Sequence, residues 1–129
     1  MYENVFQAGA SYTRQQVKAT VGAEPGRGGN WDTGYHRHGG TVFVFSTIGV
    51  PARTGHDYGD RWLPDRTFEW YGKTRSRVGQ PLIEFMTDPQ SSVLLFIREQ
   101  DRDPFTFAGR IKAAKVFDEQ PVRVIWCRV

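Results

Sequence analysis

Hydrophobic positions fall along this chain in short runs separated by glycine, proline and charged clusters, and the spacing inside each run predicts its element. Thr41-Val42-Phe43-Val44-Phe45-Ser46 is apolar on both of its alternating faces, Val42 with Val44 and Phe43 with Phe45, so it is expected to be a strand buried on both sides. Ser92-Val93-Leu94-Leu95-Phe96-Ile97-Arg98 is the most apolar run and is expected to be the central strand. Thr67 to Tyr71 alternates, with Phe68 and Trp70 on one face and Thr67, Glu69 and Tyr71 on the other. From Phe105 to Ala113 the pattern places Phe105, Phe107, Ile111 and Ala113 inward and Thr106, Arg110 and Lys112 outward. Val122 to Val129 forms a last strand after Pro121, and Tyr35 to His38 starts another, joined to the run at Thr41 by a Gly39-Gly40 hairpin turn. Met1 to Ala10 reads as a short edge strand or a packed arm.

Two short helices interrupt these strands. Thr13 and Gln16 have the spacing of a capping box, which starts a helix from about Arg14 to Val21 that Gly22 terminates. Val17 and Val21 share one face of it, and Arg14 and Lys18 form a basic face expected to be solvated. Pro81 suits the first turn of a second helix reaching about Met86 and stopped near Asp88-Pro89. The segments 23–32 and 49–64 hold too many glycines and prolines for regular structure and read as long loops, which in compact domains are often functional. The expected architecture is α+β: a strongly bent antiparallel or mixed sheet, or a small β-barrel, of five to six strands with two short helices.

The composition agrees with a sheet. Aromatic residues make up 14% of the 129 residues and leucine is scarce, so much of the core must be aromatic and β-branched. The length suits a single domain over 1–129, and no repeat or linker divides it. A net charge of +3 permits contact with a polyanion without demanding it. One cysteine, Cys127, excludes an internal disulfide framework, and no Cys/His spacing matches a zinc site, so a reducing, cytoplasmic setting is expected. No apolar run approaches the roughly 20 residues of a membrane span, and no membrane partner is expected.

Catalytic constellations are sparse. Asp65, Glu69 and Lys73 faintly resemble a metal-dependent nuclease core, but the carboxylate-to-lysine spacing is wider than such cores use. His36 and His38 share a strand face without a third ligand nearby, and His56-Asp57 has no serine or cysteine in sequence to activate. Cys127 sits among apolar residues as an inert thiol. No catalytic residue, metal ligand or cofactor is assigned.

A binding site has more behind it. Gly28-Gly29-Asn30-Trp31-Asp32-Thr33-Gly34-Tyr35 combines a permissive backbone with two flat aromatic faces, and Trp70-Tyr71-Gly72-Lys73 places adjacent aromatics beside the basic tract ending at Arg77. Aromatic faces stack on bases, while Arg and Lys hold phosphates. The competing reading is that Trp31 and Tyr35 plug the end of a β-core.

The ordered set Tyr12-Thr13-Arg14, Gly28 to Tyr35, Thr54-Gly55-His56-Asp57-Tyr58, Trp70-Tyr71-Gly72-Lys73 and Phe105-Thr106-Phe107-Ala108-Gly109 resembles a domain-of-unknown-function family. That family is attached to restriction-type superfamily II helicases and to HNH nucleases of anti-phage systems. The likeness runs from about Tyr12 to Val129; Tyr71-Gly72-Lys73 departs from the Ser-Gln of helicase-linked members and sides with the nuclease-linked branch. The resemblance implies a modification-dependent restriction specificity module, a reader of double-stranded DNA, modified or plain, whose cutting enzyme is a nuclease or helicase in cis or in trans. No His-Asn-His signature occurs in this chain. On this reading Trp31, Asp32, Tyr35, His56, Tyr58 and Tyr71 form the pocket for a modified or flipped base, and Arg53, Lys73, Arg75 and Arg77 touch phosphates. The alternatives are a small metal-dependent nuclease or hydrolase and a protein-interaction module.

Overall fold

The computed structural model describes residues 2, 4–24, 31, 33–48 and 59–129. Among the described residues the chain forms a mixed sheet of eight strands with a helix on each face. In chain order the elements are β1 (Ser11–Tyr12), α1 (Arg14–Thr20), β2 (Tyr35–His38), β3 (Thr41–Thr47), β4 (Arg61–Trp62), β5 (Phe68–Tyr71), α2 (Pro81–Thr87), β6 (Ser92–Arg98), β7 (Phe105–Phe117) and β8 (Arg123–Arg128). The strand order is β2-β3-β6-β7-β8-β5-β4, with β1 paired to the start of β7. Among the described residues β3 and β6 run parallel and the other ladders are antiparallel.

The α+β class stands, whereas the count of five to six strands does not. β1 and β4 have two residues each, too short to show alternation, and exist only because β7 and β5 pair with them. The sheet is strongly bent but not a closed barrel. Four strands separate β2 from β5, so a flat sheet would hold them ~24 Å apart. Yet the rings of Tyr35 on β2 and Trp70 on β5 meet with centroids 5.1 Å apart. The sheet therefore curls until its two ends face one another, without a ladder joining them.

Both faces of β3 and β6 are covered, which is why their runs are apolar throughout. Val42, Val44, Val93 and Leu95 pack toward α2 through Ile83 and Met86, joined by Tyr35, Phe68, Trp70, Val124 and Trp126. Phe43, Phe45, Leu94 and Phe96 pack toward α1 through Val17 and Val21, joined by Phe6, Phe105 and Phe107. The expected inward row on β7 is split between these two cores: Phe105 and Phe107 face α1, while Ile111 and Ala113 face the other side. Ala108 is the cause. It is an extra residue between Phe107, opposite Phe96, and Gly109, opposite Leu95, and Gly109 at φ 108° supplies the backbone turn that shifts the alternation by one.

The helices start where expected. Thr13 accepts from the Gln16 amide and the Gln16 side chain accepts from the Thr13 amide, closing the capping box. The basic face of α1 is not solvated, however: Lys18 is buried and Arg14 half-buried. Among the described residues no helix is long and apolar enough to cross a membrane.

Candidate functional site

The segment between β5 and α2, residues 72–80, is a basic stretch braced by a network of hydrogen bonds. Its first amide, Gly72, donates to the Val122 carbonyl (2.9 Å), and Val122 donates back to the Ser76 carbonyl (3.0 Å) and hydroxyl (3.1 Å). Ser76 in turn donates its amide to the Lys73 carbonyl, while the Gln80 side chain accepts from the Arg77 amide and donates to the Arg75 carbonyl. Gly72 is required by close approach: a Cβ there would lie 2.4 Å from Ser76 Oγ and 2.8 Å from Val122 Cγ1.

Tyr35 ties this segment to β2. Its hydroxyl accepts from the Lys73 amide (3.3 Å), and Lys73 Nζ lies over its ring, 4.3 Å from the centroid. Burial pushes the Lys73 ammonium below the usual lysine range and the Tyr35 hydroxyl above the usual tyrosine range. Beyond this anchor Arg75 and Arg77 are exposed, Arg75 with a left-handed backbone at φ 70°. From Gly72 to Gly79 the chain carries three cations and no carboxylate.

Trp31 occupies a different face. Alternation along β2 sends Tyr35 into the α2-side core and His36 to the opposite side, where the half-buried Trp31 ring lies 4.7 Å from His36, 5.7 Å from His38 and 5.2 Å from Phe43. Arg14 fixes the backbone here, donating through Nη1 to the carbonyls of Trp31 (2.9 Å) and Thr33 (2.8 Å). Burial, with the positive charges of His38 and Lys73, holds the His36 imidazole below its ordinary value.

A buried carboxyl group went unnoticed in the sequence. Asp60 accepts from the Ser46 hydroxyl at the end of β3 (2.5 Å) and from the Tyr71 amide on β5 (2.9 Å). Burial pushes its pKa up to about 6, the two hydrogen bonds opposing and the charge of Glu69 adding to the rise. Nothing local marks Asp60, because its burial depends on two strands brought together by the curl. Glu69 is held between Arg61 (2.9 Å) and Arg123 (3.2 Å), and Arg123 also pairs with Glu119 (3.0 Å). Asp65 is exposed and its carboxylate accepts from Thr67, whose hydroxyl and amide keep it below the ordinary aspartate range.

Of the expected site residues, Tyr35, Lys73, Arg75 and Arg77 come together, with the buried Tyr35 contacting Lys73 through its hydroxyl and ring. Trp31 and Tyr35 do not share a wall, since β2 stands between them. Tyr71 lies half-buried on β5, on the face opposite Phe68 and Trp70. Asp32, Arg53, His56 and Tyr58 lie outside the described residues. The nuclease-like set is not assembled: Asp65 serves a turn, Glu69 an arginine pair and Lys73 the Tyr35 ring. Among the described residues no group of three or more His, Cys, Asp or Glu could hold a metal ion.

A search of curated proteins found no match to the chain. A family model does match, over residues 6–124, which spans every element above from β1 to β7 and the first two residues of β8. On that match the chain belongs to the family described as Domain of unknown function (DUF3427).

Proposed function

We propose that this domain is a non-catalytic DNA-binding specificity module of a restriction or anti-phage system, reading a modified or flipped base for a nuclease or helicase in cis or in trans. The observation that carries the reading is the braced basic segment: Lys73, Arg75 and Arg77 project from a backbone already fixed by hydrogen bonds, so little ordering entropy opposes their contact with phosphates. Trp31 and Tyr71 offer the aromatic faces for the base, and Tyr35 acts through Lys73 by holding the segment in place. The link to restriction enzymes rests on the likeness of the sequence motifs.

Duplex binding measured by fluorescence anisotropy across a salt series tests this. Affinity falls steeply with salt, and each of Lys73→Gln, Arg75→Gln and Arg77→Gln lowers the slope of log K against log salt by roughly 0.9. A panel of duplexes differing only in base methylation, hydroxymethylation or glucosylation reveals a preference, which Trp31→Ala and Tyr71→Ala erase. Salt-independent binding, or no binding to either plain or modified duplexes, refutes the proposal.

A further inference from the structure

One face of the sheet stays open where β7 runs past the α1-side core. Phe68, Trp70, Val124 and Trp126 point into the α2-side core, so the residues that alternate with them, Glu69 and Tyr71 on β5 and Ile125 and Cys127 on β8, lie on the opposite face. Cross-strand pairing carries that face onto β7, where Lys112 stands opposite Cys127 and Lys115 opposite Ile125. Arg110, two positions before Lys112, belongs to the same face. The α1-side core reaches β7 at Phe105 and Phe107, and beyond them Lys112 and Lys115 are exposed.

In a regular strand Lys112 and Lys115, three positions apart, would fall on opposite faces. Ala114 prevents this. It is an extra residue between Ala113, opposite Trp126, and Lys115, opposite Ile125, and it returns Lys115 to the side of Lys112. The bulge thereby makes a row of cations, Arg110, Lys112 and Lys115, with neighbours about 7 Å apart along the strand. Their charge is little compensated. Among the described residues none of them forms an ion pair, and Lys115 acts on the Asp65 carboxylate through space alone. On the neighbouring strands, by contrast, Arg61 and Arg123 are tied to Glu69. Arg110 is half-buried, with Nε enclosed and lacking a hydrogen-bond partner. Holding a charge in so partly satisfied a setting is unfavourable, and a bound anion offsets that cost.

We propose that the row of Arg110, Lys112 and Lys115 is a second contact for the phosphate backbone of the duplex, separate from the 72–80 segment. It rests on the DNA-reading proposal and adds to it the direction in which the duplex runs. β7 lies two strands from β5, about 10 Å, and the row shares the face that carries Tyr71. A duplex that engages Tyr71 therefore has backbone over β7. Evenly spaced cations on an extended strand suit a linear array of charges, and phosphate contacts of this kind fix register and orientation without reading sequence. A protein partner fits this face less well. The apolar residues beside the row, Ile125 and Cys127, are half-buried and not aromatic, whereas protein interfaces centre on aromatic anchors.

The test is duplex binding by the full chain, followed by fluorescence anisotropy across a salt series. Lys112→Gln and Lys115→Gln, at exposed positions, each lower the slope of log K against log salt by roughly 0.9, and the double variant lowers it by roughly 1.8. Arg110→Gln gives a similar loss that Arg110→Lys restores, with thermal melts confirming that both fold. Arg102→Gln, an equal charge change at an exposed position in the turn joining β6 to β7, leaves the slope unchanged; an equal loss there overturns the proposal. Binding that still depends on Lys73, Arg75 and Arg77 but is unaffected in the double variant overturns the β7 contact and leaves the DNA reader standing. A slope lowered by the β7 variants alone upholds the β7 contact and removes the 72–80 segment as a phosphate site. Absence of binding to any duplex overturns both. Polyglutamate bound by a chain that binds no duplex, and bound more weakly by the double variant, assigns the row to an acidic polypeptide and likewise overturns the proposal.

Discussion

Replacing Asp60 with asparagine isolates the energetic consequence of closing the curled sheet over a carboxyl group. In the folded protein this group titrates at about 6 instead of 3.8, because burial disfavours its charged form more than the Ser46 and Tyr71 hydrogen bonds favour it. At about 1.4 kcal/mol for each pH unit, the displacement corresponds to about 3 kcal/mol at most, since water reaching this partly exposed residue screens the charge. The direction follows from proton linkage. Below pH 3.8 both folded and unfolded states hold the proton and the group's contribution is fully present. As pH rises from 3.8 to about 6, the unfolded chain ionises freely while the folded one resists, and that stability is lost. Asparagine stays neutral throughout and keeps both partners, its Oδ1 accepting from the Tyr71 amide and its Nδ2 donating to the Ser46 hydroxyl. Urea unfolding of wild type and Asp60→Asn at matched pH therefore gives a stability difference that shifts in favour of the variant by about 2 to 3 kcal/mol between pH 4 and pH 7.5. Titrating groups that do not interact with Asp60 cancel in the difference, leaving Glu69, whose charge contributes to the Asp60 shift, as the coupled neighbour. A difference that stays within about 0.5 kcal/mol across that range, or moves the other way, refutes the reasoning.

Two further substitutions probe the site. Gly72→Ala forces a methyl group against Ser76 Oγ and Val122 Cγ1, and is expected to cost about 1 to 3 kcal/mol in chemical denaturation, while Gly40→Ala, with no heavy atom within 4 Å of the added carbon, stays near neutral. Equal effects at the two glycines would remove the argument that close approach braces the basic segment. At Trp31, protonation of His36 4.7 Å away quenches indole emission, with a midpoint below 6.5 because burial and the charges of His38 and Lys73 oppose the proton. Trp31→Phe removes that pH-dependent component; a midpoint at or above 6.5 contradicts the assigned environment.

What could be read without a structure was local. Thr13 and Gln16 announce the start of α1, Pro81 that of α2, and the double-sided apolar runs of β3 and β6 announce strands covered on both faces. The basic tract from Lys73 to Arg77 was also visible as a tract. Its rigidity was not, because the bracing comes from Val122 and from Tyr35, 38 residues away from Lys73. Lys18 illustrates the same gap: helical spacing placed it beside Arg14 as a basic face, and only the assembled structure buries it.

The sequence by itself determined which segments alternate and where the two helices start. Those properties depend on neighbours within a few positions, where backbone sterics, caps and side-chain periodicity act. The tertiary structure alone decided that β1 and β4 exist, that β3 and β6 run parallel, and that Trp31 and Tyr35 serve opposite faces of β2. It also decided that Asp60 is desolvated and that Arg14 and Arg98 meet over the Phe105 ring. Each of these depends on strands far apart in sequence being drawn together by the curl of the sheet, and burial and charge proximity are properties of that assembled arrangement, not of any stretch of the chain.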